Sequence, residues 1–209
     1  MGPVWTVVVA AGTGDRYGAP KQYERLVGRR VLDWSLAVAR ASSDGVVLVV
    51  RPDRAGEHED ADVVVSGGDT RSMSARAGLA AVPDDAEVIV VHDAARPAAS
   101  RALSRAVVRA VEDGADAAIP GLTVVDTLKR TKDRVVIETL DRRGLVSVQT
   151  PQAFRASVLR AAHASGGEAT DDAALVEQAG GRVVVVAGDP DNIKLTRPGD
   201  LVRLTEILS

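Results

Sequence analysis

The chain of 209 residues lacks cysteine and contains only two tryptophans, two tyrosines and one phenylalanine. Without cysteine it can form neither disulfide bonds nor Cys-ligated zinc sites, and a thiolate nucleophile is excluded as well. The aromatic residues are too few for a platform on which successive bases of a single-stranded nucleic acid stack. Thiol chemistry and single-strand binding are therefore set aside.

The chain also has little net charge and no long apolar run. Its 26 Lys and Arg residues against 29 Asp and Glu give a formal net charge of -3, which leaves no polybasic surface for duplex DNA or anionic lipid. No apolar run approaches the ~18 residues that a membrane span needs. Residues 1–6 loosely match a myristoylation pattern and residues 7–11 faintly resemble a signal peptide, but no basic region precedes them and a glycine loop follows. We therefore expect a cytoplasmic protein with no nucleic-acid or membrane partner.

Short β-branched runs alternate with alanine-rich helical patterns along the chain, which predicts an α/β fold with a mostly parallel sheet. The predicted strands are 4–10, 46–50, 62–65, 87–92, 115–119 and 182–187. The predicted helices are 31–40, 71–81, 100–113, 155–164, 171–179 and 198–208. Ser100 is expected to cap its helix, and Pro198 to stand in the first turn of the last one. Without a repeat or a linker, residues 1–209 are predicted to form one domain.

Residues 123–150 break this alternation and predict a β-hairpin, with strands near 126–130 and 134–138, many charges and few core residues. A two-stranded ribbon is only marginally stable alone, so it should pack against something else. A second subunit and an ordinary solvated hairpin both remain open as interpretations of this arm.

The first predicted strand runs into a glycine loop that carries Gly12 and Gly14, followed by the cations Arg16 and Lys21. Glycines after a parallel strand let backbone amides approach an anion closely, and cations nearby suit a triphosphate. The loop is neither a Rossmann fingerprint, because Tyr17 stands where the third glycine belongs, nor a Walker A loop, because Pro20 precedes Lys21. From these residues alone, a purely structural turn remains open.

Seven segments, taken in order and spacing, make the interpretation more specific. They are AAGTGDRYGAPKQ at 10–22, GGDTRSMS at 67–74, HDAARP at 92–97, DRRGL at 141–145, QTPQ at 149–152, ATDD at 169–172 and DNIKLT at 191–196. Together they resemble the 2-C-methyl-D-erythritol 4-phosphate cytidylyltransferase family of the non-mevalonate isoprenoid pathway. The resemblance spans residues 4–208 and implies a Rossmann-like three-layer sandwich of the nucleotide-diphospho-sugar transferase type, with a protruding hairpin arm.

The resemblance implies that four cations carry the catalysis. Arg16 and Lys21 correspond to groups that stabilise the transition state at the α-phosphate, and Lys194 to a third cation near it. Arg142 corresponds to an arginine that positions the sugar phosphate, with Arg143 as an ambiguous neighbour. From the residues alone, an ordinary solvated lysine remains open as an interpretation of Lys194.

The resemblance also implies a CTP site formed by the glycine loop and the segment that follows the third predicted strand. Its members are Ala10, Ala11, Gly12, Gly14, Gly68, Asp69 and Ser74. Backbone groups at Gly68 and Asp69, with the Ser74 hydroxyl, would face the edge of the cytosine. A second interpretation of the same residues is that Asp69 or Ser66 caps the next helix.

The implied site for the second substrate, 2-C-methyl-D-erythritol 4-phosphate, is formed by Asp93, Arg96, Thr127, Thr150 and Thr170. Asp93 would face the polyol hydroxyls and lie near a Mg²⁺ ion bound with the CTP phosphates, either as a direct ligand or through water. In the family, the arm reaches across a homodimer, so Thr127 and Arg142 would serve the neighbouring subunit. His92 is interpreted as a structural histidine.

The mechanism implied is direct in-line attack by the substrate phosphate on the α-phosphorus of CTP, with release of pyrophosphate. Three other functions are weighed against it: a ribitol 5-phosphate cytidylyltransferase, a catalytically inactive nucleotide-binding module and an NAD-dependent dehydrogenase. The missing third glycine counts against the dehydrogenase, and the presence of Arg16, Lys21 and Lys194 together counts against the inactive module.

Overall fold

The structure is a computed structural model that describes residues 2–15 and 17–209. Its strands are β1 (Val4–Val9), β2 (Arg25–Leu26), β3 (Arg29–Arg30), β4 (Gly45–Val50), β5 (Val63–Ser66), β6 (Val88–Asp93), β7 (Ala117–Thr123), β8 (Leu128–Lys132), β9 (Val135–Leu140), β10 (Val146–Val148), β11 (Gln152–Arg155) and β12 (Val183–Ala187). Its α-helices are α1 (Val31–Ser42), α2 (Arg71–Ala80), α3 (Arg101–Glu112), α4 (Ala156–Ala164), α5 (Asp172–Gln178) and α6 (Asp200–Leu208). Each predicted strand and helix is present, with ends that differ by a few residues.

The central sheet is mixed but mostly parallel, as predicted. β5, β4, β1 and β6 pair in parallel in that spatial order. β11 runs antiparallel between β6 and β7, and β12 pairs in parallel with β7. The parallel strands therefore end at one edge of the sheet, which is where α/β proteins bind ligands.

Helices cover both faces of the sheet because alternate side chains of each buried strand point to opposite sides. On one face, Val7 and Val49 belong to a cluster that includes Leu79 of α2 and Leu159 of α4. On the other face, Val8 and its neighbours pack with residues of α1. All six residues of β4 are buried, which explains its continuous apolar sequence.

The helix ends confirm one sequence prediction and correct another. The Ser100 hydroxyl accepts a hydrogen bond from Leu103 N at 3.1 Å, as expected for a cap. The last helix, however, begins at Asp200 rather than at Pro198. Pro198 lies in a tighter turn just before the helix, in which Asp200 N donates to Arg197 O at 3.0 Å and Leu201 N to Pro198 O at 3.1 Å. The Asp200 carboxylate also accepts from Thr196 N and Arg197 N, both at 2.8 Å.

The arm is present as the antiparallel pair β8–β9. Its apolar side chains are largely uncovered: Val135, Val136 and Ile137 are 64%, 55% and 57% exposed. Within the described residues, no helix is both long enough and apolar enough to cross a membrane.

Candidate functional site

A cleft of ≈ 580 Å³ opens where β1, β4, β5 and β6 end. The predicted site residues that line it are Ala10, Ala11, Gly12, Gly14, Lys21, Gly68, Asp69, Ser74, Asp93 and Lys194. Arg16 lies outside the described residues. The structure thus brings the predicted CTP-binding segments together with two of the predicted cations.

Five predicted residues do not line the cleft. Thr127 and Arg142 are exposed within the arm, residues 123–150, and Thr170 is exposed before α5. Thr150 is buried, and its hydroxyl accepts a hydrogen bond from Asp93 N at 3.0 Å. The Arg96 guanidinium donates to backbone carbonyls rather than facing the opening.

The glycine loop, which we define as residues 10–15, contacts the short helical turn Lys21–Tyr23. The Gln22 side chain in this turn donates to Ala10 O at 2.8 Å and to Gly12 O at 3.0 Å. Gly14 has a φ of +76°, and its carbonyl accepts from Gly18 N at 2.9 Å. The loop is therefore held by hydrogen bonds and by a backbone conformation that suits glycine.

The base segment, residues 66–69, connects β5 to α2. A side chain at Gly67 would collide with the Cβ of Ala11 and the hydroxyl of Ser74, so glycine is required for this close approach. Ser74 Oγ lies 3.2 Å from both N and O of Gly68 and fixes that residue. The cap of α2 is Thr70, whose hydroxyl accepts from Met73 N at 3.1 Å. The interpretation of Asp69 or Ser66 as the cap was therefore wrong.

Asp93 is the centre of a buried charge cluster at the end of β6. Its Oδ2 lies 2.5 Å from Lys194 Nζ, and its Oδ1 lies 3.3 Å from Arg71 Nε. Burial alone raises the pKa of Asp93, but Arg71 and Lys194 outweigh this effect, so the pKa lies well below its usual value. Asp93 is therefore an ionised carboxylate between two cations.

Arg71 is a residue of the cleft to which the sequence analysis gave no role. Its Nη1 lies 2.8 Å from Asp172 Oδ2, and Asp172 in turn lies 3.0 Å from His163 Nε2. Burial lowers the pKa of Arg71, but Asp93 and Asp172 raise it to a net value above the usual one. The available signal was that Arg71 begins the predicted helix 71–81 two residues after Asp69, so it must lie next to the base segment.

Lys194 reaches the cleft because the turn before it is tied down by buried polar groups. Gln149 Nε2 donates to Asp189 O at 2.8 Å and to Asn192 O at 3.2 Å. Arg96 Nη1 also donates to Asn192 O, at 2.8 Å. The Asn192 side chain is fully buried and donates to Thr150 O at 2.8 Å. These contacts fix the backbone that carries Lys194.

His92 is 2% exposed, and its Nδ1 lies 3.1 Å from the hydroxyl of Thr150. Burial, only partly opposed by Asp93, lowers the pKa of His92 to about 4. A neutral, buried imidazole agrees with the structural interpretation of this histidine.

The profile of the family described as "IspD: 2-C-methyl-D-erythritol 4-phosphate cytidylyltransferase" matches residues 4–209. The chain belongs to this family. The 2-C-methyl-D-erythritol 4-phosphate cytidylyltransferase of Rubrobacter xylanophilus is 41% identical to it over 220 residues, covering 97% of this chain and 94% of that relative. The crystal structure of the same enzyme from Thermus thermophilus superposes with a TM-score of 0.85 at 34% identity and covers 97% of each chain.

A bifunctional enzyme IspD/IspF from Caulobacter vibrioides is 45% identical over 207 residues, which are 93% of this chain and 54% of that enzyme. The chain therefore spans about half the length of such bifunctional relatives. Family membership makes it a nucleotidyltransferase and confirms the resemblance, the fold class and the enzyme class expected from the sequence. Neither the ribitol 5-phosphate enzyme, nor the inactive module, nor the dehydrogenase is favoured by these matches.

The glycine loop yields a prediction with a matched control. Gly14→Ala should weaken nucleotide binding at least ~10-fold, because an added Cβ would overlap Ala19 O and displace the loop. Gly18→Ala should stay within about 3-fold of the unaltered protein: Gly18 also has a positive φ, of +92°, but a Cβ there meets open space. Calorimetric titration with CTP, the nucleotide expected from the sequence, compares the two. Equal losses in both variants would contradict the role given to the contact with Ala19.

Proposed function

We propose that the chain transfers the cytidylyl group of CTP to the phosphate of 2-C-methyl-D-erythritol 4-phosphate and releases pyrophosphate. The observation that carries this proposal, beside family membership, is that Lys21 and Lys194 line one cleft with the glycine loop and the base segment. Residues from opposite ends of the chain thus converge on a site suited to a nucleoside triphosphate. We propose that the enzyme is cytoplasmic, because both proposed substrates are water-soluble phosphates.

The base segment would recognise the cytosine through the backbone groups of Gly68 and Asp69. Both residues line the cleft, and the close approach at Gly67 brings this backbone next to Ala11. Ser74 also lines the cleft, and its contacts with Gly68 would hold the recognising groups in place. Ala10 and Ala11 have small side chains and leave room for a flat ring.

In the proposed reaction, an oxygen of the substrate phosphate attacks the α-phosphorus of CTP. A new oxygen–phosphorus bond forms, the bond from the α-phosphorus to the bridging oxygen breaks, and its electron pair leaves with pyrophosphate. The attacking phosphate is largely dianionic near neutral pH, so the reaction needs no general base. The reaction requires neither a histidine base nor a cysteine nucleophile, which agrees with the burial of His92 and the lack of cysteine in the chain.

Catalysis would then consist of positioning and charge stabilisation. Lys21 and Lys194 are proposed to stabilise the negative charge that develops around the α-phosphorus. In the structure, Lys194 contacts Asp93, from which its ammonium group would turn toward the phosphates of the nucleotide. Arg16 is kept as a third cation on the family resemblance alone.

We propose Mg²⁺ as the cofactor, held chiefly by the substrate. No group of three His, Cys, Asp or Glu side chains is placed to bind a metal within residues 2–15 and 17–209. Asp93, an ionised carboxylate at the cleft, fits a magnesium ion that takes one carboxylate from the protein and its other ligands from phosphates and water. Asp93 would hold it directly or through water, and the bound ion would neutralise part of the triphosphate charge.

The sugar phosphate is proposed to bind beside Asp93, whose carboxylate would face the polyol hydroxyls. Thr150 holds the backbone of Asp93, which supports its place in this site. Arg96 and Thr170 complete the site in our proposal, and Arg96 also holds the turn before Lys194 through Asn192. The larger part of the phosphate contacts would come from a second copy of the chain.

We propose a homodimer in which the arm, residues 123–150 of a single 209-residue domain, packs on the partner. The exposure of Val135, Val136 and Ile137 supports this arrangement, since a lone protomer leaves them in water. Thr127 and Arg142 would then contribute to the neighbouring copy's cleft. The neighbouring Arg143 forms a surface pair with Asp141 at 2.6 Å, and Arg142 is kept as the phosphate ligand on the family resemblance.

The proposed function is tested by measuring pyrophosphate release from CTP, ATP, GTP and UTP, each with 2-C-methyl-D-erythritol 4-phosphate and with ribitol 5-phosphate. We expect rapid release only from CTP with the methylerythritol phosphate. Release with ribitol 5-phosphate at an equal rate would overturn the assignment of the polyol, and release from a purine nucleotide would overturn that of the base.

Lys21→Ala is expected to lower kcat by roughly 10²–10³ with the fold intact, because it removes charge stabilisation at the reacting phosphate. Arg203→Ala, which removes a cation from the exposed side of α6, away from the cleft and the arm, is the control and should leave the rate unchanged. Steady-state kinetics and circular dichroism of both variants make the comparison. Near-normal turnover by the Lys21 variant would remove it from the catalytic group.

The shared site predicts complementation between two inactive variants. Lys194→Ala and Arg142→Ala should each be nearly inactive alone, since every site lacks one group. Mixed subunits should regain about a quarter of the normal activity, because half the dimers are hybrids with one intact site of two. Activity of the subunit-exchanged mixture is measured against each variant alone. No recovery in a mixture shown to contain hybrids would exclude a site shared between subunits.

A further inference from the structure

Gln22 is a buried side chain next to a proposed catalytic cation, and the functional assignments above give it no role. It is 4% exposed and lies in the turn Lys21–Tyr23. Its amide nitrogen donates one hydrogen bond to Ala10 O at 2.8 Å and one to Gly12 O at 3.0 Å. A primary amide has two N–H groups, so both are used on the backbone of the glycine loop.

These two hydrogen bonds run from the turn to two points of the loop that differ in packing. Ala10 is buried in a cluster against which Tyr23 of the same turn also packs. Ala10 follows the last residue of β1, whereas Gly12 lies in the loop itself, and a Cβ built at Gly12 meets no atom within 4 Å. Little packing therefore fixes the loop at this point. At Gly12, the Gln22 amide therefore supplies a link between the glycine loop and the turn that carries Lys21.

We propose that Gln22 is a positioning residue that sets the place of Lys21 relative to the glycine loop. This inference rests on the proposed function, in which the loop holds the triphosphate and Lys21 stabilises charge at its α-phosphorus. Gln22 does not touch the reacting atoms. Loss of its hydrogen bonds would leave the loop able to bind nucleotide but would let Lys21 drift from the point where charge develops, and a displacement of about 1 Å is enough to slow a reaction markedly.

The expected signature is a loss in kcat with little change in nucleotide binding. Gln22→Met keeps the length of the side chain and removes both donors, while Gln22→Asn keeps an amide that is one methylene too short to reach both carbonyls. We expect either variant to lower kcat by about 10-fold to 100-fold and to change the KM for CTP by less than about 3-fold. Gln178→Met, at the exposed end of α5, is the matched control and should behave as the unaltered enzyme.

A double-variant cycle with Lys21→Ala separates positioning from a general structural role. If Gln22 acts through Lys21, then Gln22→Met should reduce kcat by less than about 2-fold once Lys21 is already alanine. An undiminished loss in that background would overturn the proposal, as would a larger effect on the KM for CTP than on kcat. Failure of both Gln22 variants to fold, judged by circular dichroism and thermal unfolding, would make Gln22 a residue of folding and would also overturn it.

Different results would contradict the proposed function and the positioning role of Gln22. An unaltered enzyme that releases no pyrophosphate from CTP with the methylerythritol phosphate contradicts the function itself. An active unaltered enzyme whose Gln22 and Lys21 effects simply multiply contradicts only the positioning role of Gln22.

Discussion

The Asp93 carboxylate holds two cations together at the end of the parallel strands. Its oxygens lie 2.5 Å from Lys194 Nζ and 3.3 Å from Arg71 Nε. Like charges in a partly buried cleft repel each other, and a negative charge among them offsets that repulsion. Burial would favour the neutral acid, but the two neighbouring cations keep Asp93 ionised. The position of Asp93 as the last residue of β6 fixes the carboxylate on a rigid strand, so Lys194 is held at the cleft by a well-placed partner.

The sequence was sufficient for most of the fold because the central strands are buried on both faces and therefore have continuous apolar runs. β4 is the clearest case, since each of its residues is buried. β11 was missed for the opposite reason: its sequence, QAFR, is short and mixed, and its strand conformation depends on pairing with β6 and β7 on either side. That pairing is a tertiary effect which no local pattern reports. The arm was predicted because two short runs separated by a polar turn at 131–133 are a local signal.

The position of a residue in the cleft was predictable where the residue belongs to a recognisable motif, as for Lys21, Asp93 and Lys194. It was less predictable where the contacts of the residue depend on segments distant in sequence. Thr70 rather than Asp69 caps α2, and only the geometry of the helix start distinguishes the two. Arg71 lies between Asp93 and Asp172, far apart in sequence, so its function as a bridge emerges only after folding. Arg96 donates to the carbonyl of Asn192, a contact that likewise could not be inferred from its motif.

The two lysines of the cleft share a mode of support, in which a glutamine amide holds the backbone near each of them. The Gln22 amide joins the turn of Lys21 to the glycine loop. The Gln149 amide donates to two backbone carbonyls, Asp189 O and Asn192 O, in the turn before Lys194. A neutral amide donates hydrogen bonds without adding charge, whereas a carboxylate could not donate to these carbonyls and would lower the positive potential that a triphosphate meets. The amides therefore hold the backbone near both lysines without reducing the positive charge of the cleft. Asp93 is the carboxylate that contacts Lys194 directly.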